Sequence, residues 1–153
     1  MIASSLTRRT ALMGPLVAIA GALVARNAFA TADQAKEWLA GHARGTPQSG
    51  KVTLKAPEIA ENGNAVPLTV KVDSPMTADD HVKAIHIFNE KNPQPHVFNA
   101  WLSPANGQAR VATRIKLGDS QKVVAVAETS KGEFWSAHTD VIVTIAACIE
   151  DAT

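Results

Sequence analysis

The chain has 153 residues, a length typical of a single domain. A hydrophobic fraction of 46% with 19% charged residues is typical of a packed globular protein and argues against disorder. The formal net charge of +1 includes residues 1–30, which carry three arginines and no acid; without them, 12 Lys and Arg stand against 14 Asp and Glu, a net charge of −2. That balance argues against a basic patch for nucleic acid and against a polybasic membrane anchor.

Residues 1–30 have the pattern of a cleavable signal peptide. A polar stretch with adjacent Arg8 and Arg9 precedes the apolar run ALMGPLVAIAGALVA, and small residues at 28 and 30 predict cleavage after Ala30. TRRTALM resembles a twin-arginine export signal, and the apolar run is short for a membrane span. A buried N-terminal helix is the alternative. We expect export to the periplasm and no membrane attachment after processing.

Residues 31–50 are predicted to form a short helix and a linker. In TADQAKEWLAGHARG, Ala35, Trp38 and Leu39 follow the 3/4 apolar spacing of an amphipathic helix, and TPQSG follows as a turn.

From residue 51 to residue 146 short β-rich runs alternate with turns. The runs are KVTLKA, VPLTVKVD, HVKAIHIFNE, HVFNAWLS, ARVATRIKLG, KVVAVAETS, EFWSAHTD and DVIVTIA. Pro-, Gly- and Asn-containing turns separate nearly all of them, including one at Asn62-Gly63. Seven to nine strands at this spacing predict an all-β fold, an immunoglobulin-like antiparallel β-sandwich. In the second run Val66, Leu68, Val70 and Val72 are expected to face the core.

The usual active-site patterns do not occur in the sequence. The five histidines are scattered singly, which predicts surface or loop positions and no metal site: His42, His81, His86, His96 and His138. A copper site of the Cys-His-Met kind is not supported, because only IEDAT follows Cys148. No nucleophile elbow or glycine-rich phosphate loop is present. The sequence therefore predicts a non-enzymatic protein without a cofactor.

Cys148, the only cysteine, lies five residues before the last residue. The run before it, residues 141–146, is apolar on both faces and predicts a central or interface strand. A single cysteine in an exported protein cannot form an internal disulfide. A thiol on a short tail is tethered to the scaffold and can reach outward; an inert buried cysteine is the alternative.

Several long segments of the sequence resemble the SoxY family, the sulfur-substrate carrier subunit of periplasmic thiosulfate oxidation. They are AENGNAVPLTVKVDSPMT, VKAIHIFNEKNPQPHVFNAWLSP, ATRIKLGDSQKVVAVAETSKGEFW and VIVTI. The resemblance implies a sandwich that forms a heterodimer with a second, SoxZ-like sandwich subunit. It also implies that Cys148 is the covalent attachment point for a sulfur-containing intermediate, loaded and unloaded by periplasmic redox or hydrolytic enzymes.

The C-terminal arm, residues 147–153, departs from the family pattern of a Gly-Gly-Cys-Gly-Gly ending. Ala146, Ala147, Ile149 and Glu150 stand in place of the four glycines, and the ending resembles a SoxY-related group with an Ala-Ala-Cys-Ile-Glu arm. These residues restrict the backbone, so the arm is expected to be stiffer than a glycine arm. Its acidic residues disfavour the thiolate and repel thiosulfate, which argues against thiosulfate as the cargo.

The leading hypothesis from the sequence is thus a periplasmic covalent carrier. The alternative is a non-catalytic assembly subunit that pairs with a SoxZ-like protein, with Cys148 in an intermolecular disulfide or without a role. A redox or metal enzyme is the weakest hypothesis.

Overall fold

The computed structural model describes residues 46–147 together with Glu37, Ala40 and Gly41, which are helical and exposed. The predicted signal peptide, most of the predicted N-terminal helix and Cys148 lie outside these residues. The strands are β1 Val52–Lys55, β2 Ile59–Ala60, β3 Val66–Val72, β4 Val82–Asn89, β5 His96–Trp101, β6 Arg110–Ile115, β7 Gln121–Thr129 and β8 Phe134–Val143. Short 3-10 helices occupy Gly63–Ala65 and Pro104–Asn106.

The eight strands form the two sheets of a sandwich. One sheet has three strands in the order β1-β3-β6, and the other has five in the order β2-β8-β7-β4-β5. Strand pairs are antiparallel except for the two-residue β2, which runs parallel to β8. The predicted all-β, immunoglobulin-like sandwich is confirmed, with one parallel edge strand that the sequence did not reveal.

The alternation of apolar and polar residues in β3 explains how the three-stranded sheet is oriented. Val66, Leu68, Val70 and Val72 are each at most 3% exposed, whereas the intervening Lys71 is exposed. A shift of one residue in the pairing would turn all four apolar side chains to solvent, so their burial fixes the register of β3 against its neighbours. The prediction for this strand is confirmed.

The main core lies between the two sheets. Its fully buried members come from β3, β4, β7, β8 and the loop after β6, and they include Val66, Val70, Val82, Ile85, Ile87, Leu117, Val123 and Val141. A smaller cluster of Phe88, Val126 and Phe134 is also buried. Since neighbouring residues of a strand point to opposite faces, this cluster lies on the other face of the five-stranded sheet.

The last predicted strand is not a separate element. EFWSAHTD and DVIVTIA form one strand, β8, because residues 134–141 pair with β7 without a break. The strand ends at Val143, three residues earlier than predicted. Its position between β7 and β2 is an inner one, but only one of its faces is buried, since Val141 is 1% exposed and Ile142 is 56% exposed. Among the described residues, no helix has the length and apolar character needed to cross a membrane.

Candidate functional site

The structural part of the candidate site is the segment that connects the sandwich to Cys148. We call Thr144–Ala147 the arm root; it follows the end of β8 and directly precedes the cysteine. Of the predicted arm residues, Ala146 and Ala147 belong to it. Cys148, Ile149 and Glu150 lie outside the described residues.

The first half of the arm root is hydrogen-bonded to the segment after β2. The N–H of Thr144 donates to the carbonyl oxygen of Ala60 at 3.1 Å, and its hydroxyl donates to the carbonyl oxygen of Glu61 at 3.0 Å. One residue earlier, the N–H of Val143 donates to the Oγ of Ser120 at 2.9 Å. These bonds extend the pairing of β2 with β8 past the end of the strand, so the chain leaves the sheet in a fixed direction.

The second half of the arm root is held through Gly63 and Leu117. The N–H of Gly63 donates to the carbonyl oxygen of Ile145 at 2.7 Å, and the N–H of Leu117 donates to the carbonyl oxygen of Gly63 at 2.8 Å. The N–H of Ala147 in turn donates to the carbonyl oxygen of Leu117 at 3.0 Å. Ala147 is only 9% exposed. The residue that precedes Cys148 is therefore anchored to the scaffold by its own amide group.

Gly63 is required at this point by close backbone packing. A Cβ atom on residue 63 would lie 2.3 Å from the carbonyl oxygen of Leu117 and 2.8 Å from the amide nitrogen of Ala147. Both contacts are far shorter than van der Waals distance, and both involve backbone atoms that cannot rotate away. The sequence marked Asn62-Gly63 only as a turn; its actual role is to let the arm root approach the scaffold.

A buried network of amide side chains positions the loop that carries Leu117. Asn92 is 5% exposed, and its Nδ2 donates to the carbonyl oxygen of Lys116 at 2.8 Å. Its Oδ1 accepts from the N–H of Gly118 at 3.1 Å and from Nε2 of Gln121 at 2.8 Å. The side chain of Asn92 thus binds the backbone of the residues before and after Leu117. It thereby fixes the carbonyl group of Leu117, which accepts the hydrogen bond from Ala147.

Replacing Asn92 with leucine is expected to lower the free energy of unfolding by about 2–4 kcal/mol, because the buried carbonyl, N–H and amide partners would each lose a hydrogen bond. Urea unfolding measures the loss, and hydrogen exchange at the amide of Ala147 is expected to accelerate beyond the general change. The exposed Asn99 provides a matched control, since Asn99→Leu should leave both quantities nearly unchanged. Equal effects of the two substitutions would contradict the assigned role of Asn92.

The same loop carries an exposed ion pair. The ammonium group of Lys91 donates to the carboxylate of Asp119 at 2.9 Å, and this hydrogen bond, together with the N–H of Ser120, holds the pKa of Asp119 below its ordinary value. Because both side chains are largely exposed, the pair adds little to stability. The loop is fixed mainly by the buried amides.

An exposed apolar edge adjoins the arm root. Ile59 and Ile142 are register partners in the parallel β2–β8 pair, and they are 60% and 56% exposed. Ile145, within the arm root itself, is 66% exposed. We call these three residues the isoleucine edge. Large apolar side chains grouped in this way on a surface commonly mark a protein–protein contact.

The sequence model of the SoxY family, described as sulfur oxidation protein SoxY, matches residues 36–148. The chain belongs to the SoxY family. The matched range includes the arm root and Cys148. No curated protein matches the chain.

The structure of this chain is similar to the solved structure of a sulfur carrier protein. The sulfur carrier protein SoxY from Chlorobium limicola f thiosulfatophilum is 30% identical, with a TM-score of 0.61 over 75% of this chain and 100% of that one. The superoxide reductase (neelaredoxin) from Ignicoccus hospitalis is 18% identical, with a TM-score of 0.55 over 75% of this chain and 94% of that one. At that identity the second likeness shows a shared fold alone.

The histidines of this SoxY-family chain are not all at the surface, contrary to the sequence-based expectation. His86 is 4% exposed, and its Nδ1 lies 3.4 Å from Nε2 of His96. The ring of His96 stacks on Phe88 at 4.9 Å, and Trp101 meets His86 edge-on. His86 is buried because β4 lies inside the five-stranded sheet, where both of its faces are covered. Among the described residues no three His, Cys, Asp or Glu side chains converge as a metal-binding group.

The net charge argued against a basic patch for nucleic acid, yet the structure does group basic residues on one surface. On the outer face of the three-stranded sheet four basic residues, Lys55, Lys71, Arg110 and Arg114, are exposed. Net charge does not report where charges lie, and the cations come together only when β1, β3 and β6 align. We call this surface the cationic face.

Proposed function

We propose that this protein is a periplasmic covalent carrier of the SoxY type, with Cys148 as the attachment point for a sulfur-containing intermediate. Membership of the family, the inclusion of Cys148 in the family match and the likeness to a sulfur carrier protein support this function. The structural observation that carries the proposal is the hydrogen bond from the N–H of Ala147 to Leu117. It anchors the residue before the cysteine and so ties the cargo to a rigid scaffold.

A rigid tether suits a protein that passes cargo between enzymes. Ser120, Glu61, Gly63 and Leu117 hold the chain from the end of β8 to Ala147, so the point at which the arm leaves the sandwich is the same for every partner. A fixed point of departure keeps the effective concentration of the cargo at a docked enzyme high. The partner enzymes would supply the chemistry, and the carrier would supply position.

Loading of a thiol-level sulfur compound requires an oxidising partner. When the sulfur of the cargo joins the Sγ of Cys148, an S–S bond forms, two protons are released and two electrons leave the pair of sulfurs. The loading enzyme must therefore pass two electrons to an acceptor. Release of an oxidised end group by water needs no acceptor, but it leaves the S–S-bonded sulfur on Cys148 as a persulfide, so a hydrolytic enzyme would remove the end group and not the sulfur itself.

The anchored root supports a cargo or an acceptor different from that of a glycine arm. Ala146 and Ala147 stand where the family pattern has glycines. Ala147 donates a backbone hydrogen bond to Leu117, and its side chain is nearly buried. Glycine would give this segment more backbone freedom. We infer that enzymes which act on this arm must accept a bulkier, stiffer approach, and that thiosulfate is not the cargo.

The partner subunit in this proposal binds at the isoleucine edge. The edge lies beside the arm root, and its three side chains are the large apolar surface residues of the region. A second sandwich of the SoxZ type, seated there, would cover them and flank the arm. The same contact supports the alternative function of a non-catalytic assembly subunit, in which Cys148 forms an intermolecular disulfide or has no role.

Replacing Ile59 and Ile142 together with lysine is expected to abolish co-purification of the second sandwich subunit, because two charges would have to be buried at the contact. Thermal unfolding should change little, since both side chains are exposed. Trp101 is 70% exposed on β5 at the opposite edge of the sheet, so Trp101→Lys is the control and should keep the partner. Loss of the partner from the control alone would move the interface to β5.

Intact mass spectrometry of the mature protein from periplasm, before and after a reductant, tests the carrier function. A mass increment at Cys148 that the reductant removes is the expected result, and its size identifies or restricts the cargo. A disulfide to a partner subunit would favour the assembly function. A bare thiol under every growth condition would contradict both uses of the cysteine.

A further inference from the structure

The cationic face is built by the register of three strands. Lys71 of β3 and Arg110 of β6 are direct register partners, and so are Pro67 of β3 and Arg114 of β6. Lys55 of β1 lies opposite Thr69 of β3. All four basic side chains point away from the core, because the residues between them are the inward members of each strand. The outward positions of β1, β3 and β6 carry no acidic residue.

The charges on this face are not compensated by carboxylates of the described residues. None of its four basic side chains forms an ion pair with another described residue, whereas Lys51, Lys83, Lys91 and Lys131 elsewhere on the surface each pair with a carboxylate. Like charges that lie directly opposite on neighbouring strands, as Lys71 and Arg110 do, destabilise a sheet. The arrangement therefore opposes folding slightly, and a negative surface that covers it would relieve the repulsion.

The other residues of the face are small or polar. Between the basic side chains lie Thr53, Pro67, Thr69 and Ala112, and no large apolar side chain stands among them. The exposed isoleucines and Trp101 belong to the other sheet. A surface that inserts into a membrane combines basic with large apolar residues. This face has the basic residues but not the large apolar side chains. Hydroxyls and spaced cations instead suit carboxylates on a protein surface.

The cationic face extends to the arm root. β3 begins directly after the 3-10 helix Gly63–Ala65. The N–H of Gly63 donates to Ile145 of the arm root, and its carbonyl oxygen accepts from Leu117. β6 ends two residues before Leu117, the acceptor of the amide of Ala147. Beyond Arg114, the surface continues into a cleft of about 340 Å³ lined in part by His96, Arg114 and Lys116. A protein seated on the face would border the point where the arm leaves the sandwich.

We propose that the outer face of the three-stranded sheet is the docking surface for an acidic protein, the enzyme that acts on Cys148. The identity of the occupant as that enzyme rests on the proposed carrier function; the docking surface itself does not need the thiol. Charge complementarity would steer the enzyme to the face and set its orientation. The isoleucine edge lies on the other sheet, so both partners could be bound at once.

A charge-reversal experiment with a matched control tests the surface. Binding of a short fluorescent poly-L-glutamate is measured by anisotropy, at low and physiological salt, on the mature protein and on K71E/R110E, K83E/K131E and Cys148→Ser variants. The first two variants change the net charge equally, but the second alters Lys83 on β4 and Lys131 in the turn after β7, each of which pairs with a carboxylate. We expect at least about a tenfold weaker affinity in K71E/R110E alone, since the surface then repels the peptide, and unchanged binding in Cys148→Ser.

Three results would overturn the proposal. Equal losses in both charge variants would show an effect of net charge alone. Tighter binding of phosphatidylglycerol vesicles or of single-stranded oligo-dT at the same face would assign it to a membrane or to nucleic acid. Peptide binding that requires deletion of residues 149–153 would show that the protein's own acidic tail occupies the face. Normal peptide binding by a protein whose Cys148 never carries cargo would instead contradict the carrier function and leave the docking surface standing.

Discussion

Cys148→Ser is expected to remove the whole reductant-sensitive mass increment from the mature protein and to abolish its function in the source cell. A hydroxyl is far less nucleophilic than a thiolate at neutral pH and forms no bond to sulfur that a reductant would break. Stability should be nearly unchanged, because the substitution exchanges only Sγ for a hydroxyl oxygen and keeps residues 144–147, whose hydrogen bonds hold the arm root. Intact mass spectrometry and thermal unfolding measure the two quantities.

A serine two residues before Cys148 serves as the control. Ala146 is exposed, so Ala146→Ser adds the same hydroxyl to the root without removing the thiol, and the increment should persist. An increment that survives in Cys148→Ser would place the cargo on another residue. Full function of Cys148→Ser in the cell would support the assembly function, with the isoleucine edge as the working surface.

The inner faces of the strands could be predicted because the alternation of apolar and polar residues within a strand indicates which of its faces is buried. In β3 the alternation of valines with Thr69 and Lys71 gave the buried set correctly. In β4 a register shift between Val82 and Ala84 lets Val82 join Ile85 and Ile87 in the core. Features that depend on one strand alone follow from the period-2 pattern and its turns.

Features that depend on pairing could not be predicted. The burial of His86 results from the position of β4 between β5 and β7, and nothing in its own strand distinguishes it from an exposed histidine. Lys71 and Arg110 are 39 positions apart in the sequence and become neighbours only through the β3–β6 register. The two-residue β2 is too short to show a period. The role of Gly63 likewise depends on Leu117 and Ala147, which approach it from two distant segments.

Gly63→Ala is expected to lower the free energy of unfolding by about 3 kcal/mol, through overpacking and through loss of hydrogen bonds at the arm root. The new methyl group would meet two backbone atoms, the carbonyl oxygen of Leu117 and the amide nitrogen of Ala147, and these are the two ends of the bond that anchors the arm. The substitution must therefore break that bond or displace the loop. Urea unfolding measures the stability, and hydrogen exchange at Ala147 reports whether the anchor is lost.

Gly132→Ala separates this packing effect from the general cost of replacing a glycine. Gly132 has a φ of 77° and no atom within 4 Å of an added Cβ, so alanine there costs about 1 kcal/mol of backbone strain and leaves Ala147 protected. If Gly63→Ala also releases the arm root, cargo on Cys148 should be transferred more slowly although the thiol is intact, because the point of departure of the arm would no longer be fixed. Normal protection of Ala147 in Gly63→Ala would show that the root is held without the close packing at Gly63 and would contradict the role assigned to this glycine. Loss of protection with an unchanged rate of cargo transfer would contradict the rigid tether as the basis of the carrier function.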